Sequence, residues 1–416
     1  MFLSLLKIGM IGREAGFTPK QQVLNACYFA KNSEHNENTT YADLGNNFKM
    51  PLMTDNIFRD DINNLIEFLQ QDPIPRLTNG PKIWEFEEKW NEWLGTKYSV
   101  MVNSGASANE LTMLALSYMH GNDGEIIVPP LTWISDISSV VFSGFKPVFC
   151  DINMKNLSFD IDKLRGVITD KTKAIFVTHV LGLNALTDEL VELCNEKGIL
   201  LIEDCCESHG ATFKGQKVGS IGYASNFSFY FAHHMSTIEG GIISTNDYEF
   251  YQILRALRSH GMAREMSDET MRQKYIDDNP MLSKDFIFIT PAHNFRTTEI
   301  NAVLGLSQLP KLDIQNQNRV KNFNHFIKNI NSNVFVTDLD IEGQSNYAFI
   351  LIMKDNSFEL RDKIEQTLSE NGIEFRRGLS GGGNQLLQPY IRKNFDINHS
   401  EFPNVQHIHN FSWYIG

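Results

Sequence analysis

From Lys97 onward, short apolar runs rich in β-branched and aromatic residues alternate with amphipathic stretches. YSVMVN (98–103) leads into a helical pattern from about Ala106, and EIIVP (125–129) into one near Ser135. KPVFCD (146–151) and TKAIFVTHV (172–180) come next, then a helical pattern near Asp188 and the run ILLIED (199–204). Alternation of this kind predicts βαβ units and a mostly parallel sheet flanked by helices. SNFSFYF (225–231) and GIIST (241–245) add two strands before a helix carrying YQILRALRSH (251–260), and the charged stretch 265–284 reads as a surface insertion. A helix that breaks at Pro310 and resumes from Lys311 to Ile330 precedes NVFVTDL (333–339), YAFILIM (347–353), a helix near Leu360 and IEFRR (373–377). The expected organisation is therefore an extension of unknown role at 1–48, a large α/β domain at 49–310 and a smaller α+β domain at 311–416.

Composition narrows the function classes. Among 416 residues, 37 Lys and Arg face 50 Asp and Glu, a net charge of −13, and no Lys/Arg-rich run occurs, which argues against a nucleic-acid binder. Hydrophobic residues at 42% and charged residues at 21% are those of an ordinary globular protein. The five cysteines (Cys27, Cys150, Cys194, Cys205, Cys206) are odd in number and lack CxxC spacing, so a disulfide framework is not expected and a reducing cytoplasm is. The apolar start Met1–Gly12 is interrupted by Lys7 and lacks the flanks of a secretory signal. No apolar run reaches the ~18 residues that would span a bilayer.

In open α/β sheets ligands sit at the carboxyl ends of strands, so strand-end motifs are the candidates for chemistry. Asn103-Ser104-Gly105-Ala106-Ser107-Ala108-Asn109 offers small residues at a helix start, either an anion site or a helix capped by Ser104. Ile202-Glu203-Asp204-Cys205-Cys206-Glu207-Ser208-His209 places carboxylates at the end of a strand, where one of them could hold a proton on a heteroaromatic nitrogen or simply cap an acidic turn. Its neighbouring cysteines and single histidine do not have tetrahedral metal spacing, and no metal is expected. Ser228-Phe229-Tyr230-Phe231-Ala232-His233-His234-Met235-Ser236-Thr237-Ile238-Glu239-Gly240-Gly241 carries two adjacent histidines, either a hydrogen-bonded structural pair or a site.

Order and spacing join these three motifs. The chain resembles the DegT/DnrJ/EryC1/StrS family of sugar aminotransferases, which use pyridoxal 5'-phosphate (PLP) on the fold-type I scaffold. In that family a segment Ser-Phe-x-x-x-Lys precedes Glu-Gly-Gly, and its lysine lies four residues after the Phe and six before the Glu. Here both counts fall on His233. An imidazole has no primary amine and cannot form a Schiff base, so the cofactor, PLP or pyridoxamine 5'-phosphate (PMP), is expected to be held non-covalently with His233 as a general base. The Lys-to-His exchange, with IEDCCESHGATF (202–213) and SFYFAHHMSTIEGG (228–241), is similar to the sugar 3-dehydratases within the family.

The resemblance implies a seven-stranded, mostly parallel sheet. It implies that Gly105, Ala106 and Ser228 hold the cofactor phosphate, that Trp133 covers the ring face, and that Asp204, with Glu207 close by, binds the ring nitrogen. Asn294 and Arg296 match a segment that reaches the phosphate and substrate from a neighbouring subunit, which implies a homodimer with shared sites. Arg258 and His260 are weaker candidates and read as surface helix residues; Arg376-Arg377 and Gly381-Gly382-Gly383 could face an acidic substrate or end a strand. The implied reaction removes the C3 hydroxyl of a nucleotide-linked 4-keto-6-deoxyhexose, with L-glutamate restoring PMP. Family members that use an iron–sulfur cluster carry four cysteines after the histidine; the last cysteine here is Cys206, so no cluster is expected and the GDP-sugar type is favoured. Departures are Tyr347-Ala348-Phe349 in place of a Trp/Phe-Gly-rich strand, and an end at Gly416 where relatives continue, which reads as a shortened C-terminus. The rival readings are an aminotransferase recruiting another lysine, Lys214 or Lys217, and a non-catalytic binding or regulatory protein.

Overall fold

The computed structural model describes residues 49–416. The expected extension at 1–48, with its apolar start and Cys27, lies outside the described residues. Helices α1 (Arg59–Leu69) and α2 (Pro81–Leu94) come first. Pro81 suits a first helical turn, since it has no N–H to leave unbonded, and Gly95 at φ +91° ends α2 where a side chain would be strained. Ile83, Phe86, Trp90 and Leu94, spaced three or four apart, form its buried stripe.

The alternation predicted from Lys97 follows: β1 (Tyr98–Val102), α3 (Gly105–His120), β2 (Glu125–Val128), α4 (Ile134–Phe142), β3 (Lys146–Phe149), α5 (Ile161–Val167), β4 (Thr172–Thr178), α6 (Asp188–Lys197) and β5 (Leu200–Asp204). A short hairpin, β6 (Thr212–Phe213) and β7 (Gln216–Lys217), leads to β8 (Ala224–Ser228), β9 (Gly241–Thr245) and α7 (Tyr248–Arg258). The seven-stranded sheet has the order β1-β9-β8-β5-β4-β2-β3, parallel throughout except for β9, which runs antiparallel to both neighbours. Helices cover both faces, so the strands are continuous apolar runs; Ile126, Ile127 and Val128 are fully buried, each stabilising by ~1.5–3 kcal/mol. The charged insertion forms α8 (Glu269–Asp278), which buries no residue.

After α9 (Glu299–Gln308) the chain makes a 3-10 turn at Pro310 and continues as α10 (Leu312–Asn329). β10 (Phe349–Ile352), α11 (Phe358–Glu370), β11 (Phe375–Arg377), α12 (Pro389–Asn394), α13 (Pro403–Phe411) and β12 (Ser412–Ile415) complete the chain. β12 is the centre of a three-stranded antiparallel sheet, with Ile415 opposite both Phe349 and Phe375. The 310/311 division remains our proposed boundary; Met50, from the other end of the described chain, pairs with Ile373.

Two expectations need correction. Phe229-Tyr230-Phe231 does not continue its strand, because β8 ends at Ser228 and the chain turns so that Phe229 donates to Gly240 O at 2.8 Å. NVFVTDL forms only the single bridge Phe335–Met353; the run is apolar enough to be buried but has one partner residue and no ladder.

Candidate active site

The parallel strands deliver their last residues to one edge. β4 and β5 are in register there, with Thr178 opposite Asp204, and Asp204 in turn lies opposite Asn226 in the middle of β8. Asp204 is buried; its Oδ1 accepts the backbone N–H of Cys206 at 2.8 Å and its Oδ2 accepts Asn109 Nδ2 at 3.3 Å. The same amide donates to Asp136 Oδ1 at 2.7 Å, so Asn109 bridges two carboxyls. Asp136 Oδ2 accepts the hydroxyls of Thr132 and, at 2.8 Å, Thr178. Burial, and next to it the charge of Asp204, hold Asp136 well above the usual carboxylate range.

Beside this pair stands the N-terminus of α3. Ser104 caps it, accepting Ser107 N at 3.0 Å, which leaves the N–H groups of Gly105 and Ala106 in a first turn that has no intrahelical acceptor for them. Gly105 is required by packing: a Cβ there would lie 2.5 Å from Ser228 Cβ and 2.9 Å from Cys206 Sγ. Gly241 is required for the same reason, 2.3 Å from Ser104 O, so the Gly-Gly turn seats β9 against the cap. Gly105, Ala106 and Ser228 are thus brought together in a small cradle of backbone amides and a hydroxyl, suited to an anion.

The loop between β8 and β9 is fixed from below by Asn301, whose Nδ2 donates to Thr237 O and Glu239 O at 2.8 and 2.9 Å. His233 sits in it, with its backbone N–H on Tyr230 O and its carbonyl accepting Asn56 Nδ2 at 2.9 Å. Among the described residues its imidazole makes no hydrogen bond, and Nδ1 is buried without a partner. Burial pushes His233 down to about 4, with nearby Asp204 opposing and Arg319 adding, so the ring is neutral at pH 7. It lines a cavity of about 440 Å³ together with Asn56, Arg319, Asn346 and Tyr347, whose ring centroid is 5.5 Å away. Arg319 donates from Nη1 to Tyr347 O at 3.0 Å. The adjacent His234 is structural, with Nε2 on Ser345 O at 2.9 Å. Glu207 accepts Leu181 N at 3.0 Å, and burial raises its carboxyl to about 7.

The remaining candidates divide. Trp133 lies at the start of α4 with 56% of its surface exposed, too much for a core tryptophan. Asn294 and Arg296 bond to each other, the Asn294 Oδ1 accepting Arg296 N and Nε at 3.1 Å; among the described residues no hydrogen bond or ion pair joins either to Asp204, Ser228 or His233. Arg258 is not a surface residue: it is fully buried, donating to Glu87 Oε1 at 2.7 Å and Met101 O at 3.1 Å beneath β1. Its neighbour His260 takes φ +63° in the following turn. Arg377 is occupied by Glu365 at 2.7 and 2.6 Å, and Arg376 donates to Phe375 O. Gly381 packs instead on the turn that carries Thr132, whose carbonyl would be 2.1 Å from a Cβ. Sequence reasoning gave no role to Asp136, Thr178, Arg319 or Asn109; the one available signal was a carboxylate three residues after Trp133 in a strand-end segment.

The cysteine-rich strand end also brings His179, Glu203 and Cys205 within 4.8 Å of one another. Two of those groups are already engaged. His179 Nδ1 accepts Ala185 N at 3.0 Å, which puts its proton on Nε2 toward Glu203, and the Glu203 carboxylate accepts the backbone N–H groups of Gly219, Ile221 and Gly222. The cluster anchors the turn before β8.

Residues 55–412 match the model of the DegT/DnrJ/EryC1/StrS aminotransferase family. The chain belongs to that family. DegT/DnrJ/EryC1/StrS members are PLP-dependent. A GDP-4-keto-6-deoxy-D-mannose 3-dehydratase from Yersinia pseudotuberculosis is 34% identical over 347 residues, covering 82% of this chain and 87% of its own. The solved Escherichia coli GDP-4-keto-6-deoxy-D-mannose-3-dehydratase with bound hydrated PLP superposes with a TM-score of 0.80 at 29% identity, over 88% of this chain and 95% of that one. A structure of GDP-4-keto-6-deoxymannose-3-dehydratase with a trapped PLP-glutamate geminal diamine gives 0.78 at 28%, over the same shares. No helix among the described residues is long and apolar enough to cross a membrane.

Proposed function

We propose that this DegT/DnrJ/EryC1/StrS protein is a PMP- and PLP-dependent dehydratase that removes the C3 hydroxyl of a GDP-linked 4-keto-6-deoxyhexose, with L-glutamate as the amino donor. The observation that carries this reading is His233, a neutral, unbonded imidazole at the position of the family's lysine, lining a cavity in which no lysine stands among the described residues. The lysines of the rival reading are engaged elsewhere: Lys214 pairs with Asp188, and Lys217 donates to Trp93 O at 2.8 Å. The residues present fit the cofactor, with a cradle that a Cβ at Gly105 would fill, a buried carboxyl at Asp204 that no lysine or arginine among the described residues pairs with, and an orphaned His233 Nδ1.

When bound, PMP supplies the amine that takes up the sugar ketone and a cationic ring that draws electrons away from it. Gly105 and Ala106 would donate N–H groups to its phosphate, with the Ser228 hydroxyl beside them. Asp204, with Glu207 nearby, would hold a proton on its ring nitrogen, and Trp133 would pack on the ring. The neutral imidazole of His233 would take up the proton released beside the bound amine and pass it to the C3 hydroxyl, which would leave as water. Asn294 and Arg296 would serve the site of the other subunit in a homodimer, in keeping with their having no hydrogen bond to Asp204, Ser228 or His233 among the described residues.

The test is mass spectrometry of products formed from GDP- and CDP-4-keto-6-deoxysugars with PLP and glutamate. Loss of water from the GDP-sugar is expected. Gain of an amino group in its place would replace this reading with the aminotransferase, and failure to bind either cofactor form would replace it with a binding protein.

A further inference from the structure

Arg319 has no part in the roles assigned above. From α10 it lines the same cavity of about 440 Å³ as His233, and it is the one lysine, arginine, aspartate or glutamate among the described residues that do so. Its Nη1 donates to Tyr347 O at 3.0 Å; among the described residues no carboxylate pairs with the guanidinium and it makes no other hydrogen bond. The edge formed by Nε and Nη2 is therefore left without a protein acceptor. A guanidinium keeps its charge at neutral pH, and holding it half-withdrawn from water is costly unless an anion meets it. The group is also well anchored. Asn316, one turn earlier on α10, donates to His209 O at 2.7 Å, and Tyr347, whose carbonyl holds Nη1, donates its own N–H to Leu181 O at 3.0 Å. Because the ring of that same Tyr347 stands 5.5 Å from the His233 ring, the guanidinium lies at the reacting end of the cavity.

We propose that Arg319 receives a carboxylate of the amino donor on its free Nε–Nη2 edge. This rests on the reading that L-glutamate is that donor. The two N–H groups of the edge point in parallel and match the two oxygens of a carboxylate, a pairing stronger than a neutral hydrogen bond. The other anion of the reaction, the diphosphate of the sugar substrate, fits less well. It brings two charges to a cavity whose described lining holds a single cation, whereas glutamate has a carboxylate one bond from the carbon that bears its amine, and so beside His233 when that amine is at the reacting end. Arg319 thereby selects an acidic donor over its amide.

The experiment uses the full chain loaded with PLP and compares wild type with Arg319→Gln, whose amide can still donate to Tyr347 O. Calorimetry first follows glutarate, which has the carboxylates and no amine to react, and glutaramide, its uncharged counterpart. Wild type is expected to bind glutarate more tightly than glutaramide by about tenfold or more, and Arg319→Gln is expected to bind glutarate about tenfold to a hundredfold more weakly than wild type. Saturation curves then follow the conversion of PLP to PMP by L-glutamate and, separately, the use of the GDP-sugar by the PMP-loaded chain. The half-saturating glutamate concentration should rise in Arg319→Gln by the factor seen with glutarate, and that of the GDP-sugar by less than about threefold. Glutarate binding unchanged in the variant, or a loss that falls on the GDP-sugar instead, overturns the proposal. If the variant does not fold, wild type decides alone: a preference for glutarate supports the carboxylate site, and equal affinity for glutarate and glutaramide overturns it. Wild type that binds PLP and forms no PMP from glutamate would overturn the reading of the donor itself, whatever glutarate does, so the two failures are told apart.

Discussion

Replacing His233 by Gln should change how stability depends on pH, by an amount the structure sets. The imidazole titrates near 6.5 in the unfolded chain and is pushed down to about 4 in the fold by burial. Between those values the unfolded chain binds the extra proton, so the contribution of His233 is complete above pH 6.5 and is lost as the pH falls toward 4. At 1.36 kcal/mol per unit, the span corresponds to roughly 3 kcal/mol. His209 and His234 are shifted in the same direction and steepen the loss. Glu207 opposes it: raised to about 7, it takes a proton before its unfolded counterpart does and adds stability as the pH falls from 7 to 4.5. The slope of the wild type alone therefore mixes opposite signs, and the difference between wild type and His233→Gln isolates one group. Because the ring makes no hydrogen bond, what the substitution loses in packing is independent of pH. Urea midpoints across about pH 7.5 to 4.5 should show the variant losing less stability by up to about one proton's worth, roughly 1.4 kcal/mol per pH unit. Parallel curves would mean that His233 titrates near its ordinary value in the fold, and the argument for an enclosed neutral base would fail.

His233→Lys should end dehydration and place an amine at the family's position; borohydride reduction followed by denaturation should then leave a pyridoxyl phosphate mass on the variant and none on wild type. Gly105→Ala forces a methyl to within 2.5 Å of Ser228 Cβ, so thermal unfolding should report a loss of about 1–3 kcal/mol and PLP affinity should fall with it. Glu87→Gln removes one partner of the buried Arg258 ion pair at 2.7 Å and should cost about 3–5 kcal/mol in urea unfolding.

The sheet was legible because its strands are buried on both faces and spell themselves as unbroken β-branched runs between helical periods, as in EIIV and KAIFV. NVFVTDL shows the limit of that signal, since an apolar run records burial and not whether a partner strand lies beside it. Arg258 shows the limit on polar residues. A guanidinium in a helix reads as exposed unless its carboxylate is known, and Glu87 lies 171 residues away in sequence. The site was legible where chemistry is bound to spacing: the count from Phe229 to His233 to Glu239 survives because the loop must return to Gly240 and Gly241, and Gly241 has no room for a side chain beside Ser104. Asp136 was not, because its meaning is relational. It is an unremarkable acid in a helix start until β4 and β5 align Thr178 with Asp204 and the packing of α3 brings Asn109 between the two carboxyls. Three segments far apart in the chain must fold before one amide reaches both carboxyls, so a chain read one segment at a time shows each acid and not its neighbour.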